Sequence, residues 1–136
     1  MMAKHASRTT VLVGKSKEEI ERTLRRYGAT GVQIGFEGLT ANVDFLMKGY
    51  HIKILFPLPD ENNSNKKQHE QKMRTRWRDA TLAVKAKLVM VDVNISTFEK
   101  EFLSYMALPE GGTVGDVVLE QIRSGKVNLL MAPEVD

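Results

Sequence analysis

The chain has 136 residues, 42% of them hydrophobic and 27% charged, a formal net charge of +3 and no cysteine. These values fit a single ordinary domain over 1–136 with a core of its own, and they exclude disulfides, thiolate metal sites and a cysteine nucleophile. No apolar run nears the roughly 20 residues needed to span a bilayer, and the start, MMAKHASRTT, lacks the apolar segment of a secretory signal, so a cytoplasmic protein without a membrane partner is expected.

Residues 1–8 read as a short frayed terminus and 9–13 as a first strand. Ser16 and Glu19 then form an S-x-x-E capping box that opens a helix to about Tyr27. Ile20, Leu24 and Tyr27 give its buried stripe, and Gly28 stops it. Three strands follow. A two-residue turn at Gly38-Leu39 pairs Ile34 with Val43 and Val32 with Phe45; a second at Lys48-Gly49 pairs Met47 with Tyr50, Phe45 with Ile52 and Val43 with Ile54. Both registers set apolar on apolar, so Val32, Ile34, Phe36, Val43, Phe45, Ile52, Ile54 and Phe56 share one face, and a slip by one residue would destroy the agreement.

A polar, proline-bearing stretch, 57–65, links this sheet to a helical second half. A helix is predicted over 66–91, with its pattern running on towards Asn94. Ser96 and Glu99 predict the next cap, before Phe98, Phe102 and Tyr105; 109–112 is a turn. Thr113 and Asp116 open a last helix that carries Val114, Val117, Val118 and Ile122 and ends at Gly125. The tail is expected to lie extended on the core through Leu129, Leu130 and Met131. The fold class is therefore α+β: a three- or four-stranded antiparallel meander covered on one face by helices, in the order β-α-β-β-β-α-α-α.

The modest net charge hides an asymmetry. Residues 1–90 hold 17 Lys/Arg against 9 Asp/Glu, and 91–136 hold 3 against 8. Such a layout fits a polyanion-binding face backed by an acidic one, or head-to-tail association of copies. The positive charge concentrates on the helix 66–91. Lys67, Arg74, Arg78 and Lys85 fall within roughly 40° of one another on a helical projection, with Lys72 and Arg76 on a further sector. The apolar stripe is Met73, Trp77, Ala80, Val84, Leu88 and Val91. A second stripe, Leu82, Val89 and Val93, predicts that the C-terminal half packs between the sheet and the last helices. A projecting cationic helix end suits phosphate contacts; the same residues would equally serve as a solvated end whose arginines meet the acidic third. Trp77 shares the stripe of Met73 and Val84, which marks it as core; a stacking role would need it at the rim.

Other chemistry is sparse. Gln33, Asp44 and Lys53 form one cross-strand row on the outer face, but His51 stands where a metal-dependent nuclease would need a second carboxylate, and Asp–Lys pairing across strands explains the row. The three histidines, at 5, 51 and 69, have no zinc spacing, and no phosphate-loop or nucleophile-elbow motif occurs, so no cofactor is implied.

The segments RRYGATG, GYHIKILFPLPD, RWRDATLAVKAKL and TFEKEFLSYMALPEGGTVGD resemble blocks in small proteins of tailed bacteriophages and prophages, over about 9–122. The resemblance implies a phage product acting in a bacterial cytoplasm and transfers no activity or residue role. Two function classes follow. The first is a non-enzymatic accessory protein binding nucleic acid, as a single-strand binder or recombination helper, through Lys67, Lys72, Arg74, Arg76, Arg78 and Lys85. The alternative is a factor that docks on a host or defence protein and inhibits or redirects it.

Overall fold

The structure, a computed structural model, describes residues 2–61 and 65–134, with side chains from residue 13 onward. In order it comprises α1 (Met2–Arg26), β1 (Thr30–Glu37), β2 (Thr40–Met47), β3 (Tyr50–Pro57), α2 (Lys66–Asp92), α3 (Phe98–Phe102), a 3-10 turn (Leu103–Tyr105) and α4 (Val114–Arg123). The class is α+β, with three antiparallel strands among the described residues.

The expected first strand, 9–13, is part of α1, which begins at Met2 rather than after a frayed 1–8. Ser16 accordingly lies inside the helix and opens nothing. The 3.6-residue spacing of Ile20 and Leu24 extends back to Val13, which packs on the same core. No proline interrupts 2–26, and Gly14 costs only about 1 kcal/mol relative to alanine. The β-branched run Thr9-Thr10-Val11 is a weak preference that the longer amphipathic pattern overrides.

The meander follows the alternation of its sequence. Glu37 pairs with Thr40 across Gly38-Leu39, Met47 pairs with Tyr50 across Lys48-Gly49, and Ile34 faces Val43. Phe45 faces Ile52 and Val43 faces Ile54. Lys48 (φ 51°) and Gly49 (φ 83°) both take positive φ, as the primed turns of tight hairpins require. The expected Val32–Phe45 pair is absent. The β1–β2 register shifts between Thr30 and Gln33, and Gly31, at φ 58°, is the residue that absorbs the bulge.

One core joins the two halves. Ile20 and Leu24 of α1, Val43, Phe45 and Ile52 of the sheet, Trp77 and Leu88 of α2, and Phe98 and Phe102 of α3 are buried together. Phe102 meets Phe45 edge-on at 5.9 Å and stacks on Phe98 at 4.8 Å. α2 begins at Lys66 as its pattern requires and runs past Val91 to Asp92. α1 and α2 run side by side in the same direction: Lys17 lies against Trp77, and further along Glu19 meets Lys85.

Three expectations for the C-terminal half change. Thr97, not Ser96, caps α3, its Oγ1 accepting the Lys100 N–H at 3.2 Å. The stripe Leu82, Val89 and Val93 is exposed rather than packed, because α1 and α3 sit on other sides of α2. The tail does not cover the core: Leu129, Leu130 and Met131 are exposed. The last helix is as expected, with Asp116 Oδ2 accepting the Thr113 N–H at 3.0 Å and Gly125 (φ 80°) just beyond its end. None of its residues is buried. No helix among the described residues is long and apolar enough to cross a membrane.

Candidate nucleic-acid interface

The N-terminal half of α2 is set by its cap. Asn65 Oδ1 accepts the Gln68 N–H at 2.8 Å, and Gln68 Oε1 accepts the Asn65 N–H at 3.2 Å. The first turn then carries Lys66 and Lys67 and no acid. Cations at a helix N-terminus oppose the macrodipole, each by about 0.3–1 kcal/mol when exposed. This end of the molecule therefore concentrates positive potential at a cost in stability, a local conflict of the kind that collects at functional sites.

The six sequence-predicted cations separate into two groups. Lys67, Lys72 and Arg78 are exposed, and Arg74 and Arg76 are half-buried. Among the described residues none of these five forms an ion pair. Lys85 does, its Nζ lying 3.7 Å from Glu19 Oε1 on α1. It is thus a tie between helices more than a continuation of the row. The acidic third reaches α2 through Glu101 alone among the described residues, and it takes Lys87 at 3.4 Å, not the arginines. Lys87 also lies over the rings of Tyr105 (5.0 Å) and Phe102 (5.8 Å).

The free cations flank a polar strip. Gln68, Gln71, Lys72, Thr75, Arg76 and Asp79, with Pro59 at one side, line an open groove of about 540 Å³. Lys67, Arg74 and Arg78 stand about 100° or more round the helix from Lys72 and Arg76, so an elongated polyanion can meet cations on both sides of one helix end.

Trp77 is not part of that surface. It is 1% exposed and meets Phe56 edge-on at 5.2 Å (81° between planes). Trp77 is therefore no external stacking platform.

Across Pro59 from the groove lies a second and more enclosed space of about 570 Å³ that the sequence did not reveal. α1 supplies Val13 and Lys17 to its wall, the first hairpin Phe36 and Leu39, and α2 His69, Met73 and Trp77. The Lys17 ammonium lies 5.2 Å from the Trp77 ring and 5.4 Å from that of Phe36. His69 Nε2 is 3.9 Å from Glu61 Oε1, while its Nδ1 is buried without a hydrogen-bond partner among the described residues. Phe36 is 63% exposed although it lies on the apolar face of the sheet.

No family model, curated protein or solved structure matches the chain.

The outer face of the sheet offers less. Gln33, Asp44 and Lys53 stand in one row as the alternation requires, and Asn42 Nδ2 donates to Asp44 Oδ1 at 3.4 Å. Among the described residues no three His, Asp or Glu side chains gather closely enough to hold a metal ion. The row reads as cross-strand pairing.

Proposed function

We propose that this is a non-enzymatic accessory protein of a tailed phage or prophage that binds nucleic acid in the bacterial cytoplasm through the first half of α2. One observation carries the reading: Lys67, Lys72, Arg74, Arg76 and Arg78 crowd a single helix end and, among the described residues, none has an acidic partner. A fold that needed these charges only for solubility would gain by pairing or dispersing them; phosphates are the partners this density suits.

The test is fluorescence anisotropy with single- and double-stranded oligonucleotides at two salt concentrations. Five phosphate contacts on a single strand give a log–log salt slope of about −3.5, or about 100-fold between 50 and 200 mM salt. A variant with Lys67, Arg74 and Arg78 changed to Glu is expected to lose binding. Absence of binding at low salt, or unchanged binding in that variant, overturns the proposal.

A second reading, docking on a host or defence protein, draws on a different observation. α4 presents Val117, Val118 and Leu119 to solvent beside Asp116 and Glu120, and Leu130 and Met131 of the tail are likewise exposed. Clustered exposed apolar side chains mark protein contacts more often than nucleic-acid ones. This reading takes precedence if the oligonucleotides do not bind.

A further inference from the structure

The groove and the enclosed space are neighbours. Pro59 lines both, and on α2 the groove residues Lys72 and Arg76 immediately precede the cavity residues Met73 and Trp77. A chain whose phosphates lie on Lys72 and Arg76 thus passes the mouth of an apolar, aromatic-walled cavity. We propose that this cavity receives one unstacked nucleobase of the bound strand, a deepening of the function proposed above and dependent on it.

Size, electrostatics and unused hydrogen bonding argue for a base. At about 570 Å³ the space lies within the range of small-molecule sites and is ample for a base with its sugar. Its walls are largely apolar, with Phe36, Leu39 and Met73 lining it beside the buried Trp77. The cation inside, Lys17, is opposed by the carboxylates of Asp60 and Glu61, which line the same space. Such a cavity does not favour a phosphate or an apolar carboxylate; a neutral ring with a polar edge suits it, and the phosphates remain on the groove side. Among the described residues His69 Nδ1 is buried with no hydrogen-bond partner, so its desolvation goes unanswered. Phe36 is the complementary anomaly, a large ring exposed at the mouth, where a base could stack on it.

The chain's single tryptophan lines the cavity, so its fluorescence reports occupancy directly. The full chain is titrated with a short single-stranded oligonucleotide, with an abasic strand of equal length, and with a nucleoside monophosphate. The expected result is quenching by the base-bearing strand and affinity ~10-fold above the abasic strand, since one stacked base contributes 1–3 kcal/mol. Phe36→Ala, at an exposed position, and His69→Leu, of similar bulk, should abolish the difference while leaving abasic binding intact. Equal affinity for the two strands with unchanged fluorescence overturns the cavity proposal and leaves the basic surface standing. If neither strand binds, the function proposed above falls and the cavity proposal falls with it, whatever the monophosphate does.

Discussion

Lys85 Nζ lies 3.7 Å from Glu19 Oε1, so the last cation of the basic row joins α2 to α1. Both side chains are about half exposed, and pairs of this kind contribute little to stability, about 0–1 kcal/mol. The pair nevertheless lowers the positive potential at that end of the row.

Nucleic-acid binding should therefore divide unevenly along the helix. Arg74→Ala and Arg78→Ala are each expected to weaken oligonucleotide binding severalfold and to reduce the salt slope by about one contact. Lys85→Ala should change affinity less than twofold. Glu19→Ala, which releases Lys85, should strengthen binding slightly. Anisotropy at a fixed low salt concentration checks all four, and a Lys85→Ala loss equal to that of Arg78→Ala would contradict the division.

Trp77 supports the fold from the middle of that same helix. Its indole is 1% exposed, against Phe56 at 5.2 Å and under the Lys17 ammonium. Trp77→Ala is expected to cost about 3–5 kcal/mol of unfolding free energy, as large buried aromatics do. Urea denaturation followed by far-ultraviolet circular dichroism measures it. A loss below about 1 kcal/mol would show that the ring is not core.

Gly115 fixes the attachment of α4. A Cβ placed there would come within 2.8 Å of the Ser104 carbonyl oxygen and 3.0 Å of the Ser104 Cβ, so the helix N-terminus and the 3-10 turn are in backbone contact. Alanine at this position should push α4 off the turn at a cost of about 1–3 kcal/mol, in the range of other overpacking substitutions. Hydrogen exchange is the suitable measurement: faster exchange confined to 106–123 is expected, with the sheet unchanged. Uniform behaviour of wild type and Gly115→Ala would mean that α4 is held by other contacts.

The parts of the fold legible in the sequence were those with redundant local signals. Each hairpin was marked twice, by a two-residue turn with glycine and by apolar residues meeting across it, and its register followed. Only the bulge at Gly31 escaped, because a glycine in a strand signals irregularity without saying where the ladder shifts. Over 9–13 the first helix is masked in the sequence, because a β-branched run competes with a stripe that emerges only when Val13 is taken with Ile20 and Leu24. The exposure of Leu82, Val89 and Val93 is not legible in the sequence either, since apolarity on two sides of a helix says nothing about whether a second partner exists within the chain. The basic surface was readable because its residues lie on one element. The cavity was not, because Lys17, Phe36, Leu58 and His69 come from four separate segments and meet only through the fold.

The bulge at Gly31 and the bridge from Met106 to Ile52 act on opposite borders of the sheet. A three-stranded sheet has two free edges, and each is a template on which a foreign strand can polymerise. On the β1 side the irregular ladder breaks the even run of donors and acceptors that such a strand would need. On the β3 side Met106 pairs with Ile52, and the Ala107 N–H donates to the His51 carbonyl at 2.8 Å, occupying the edge with the protein's own chain. At these two places, 30–33 of β1 and 51–52 of β3, the sheet is guarded against growth by strand addition.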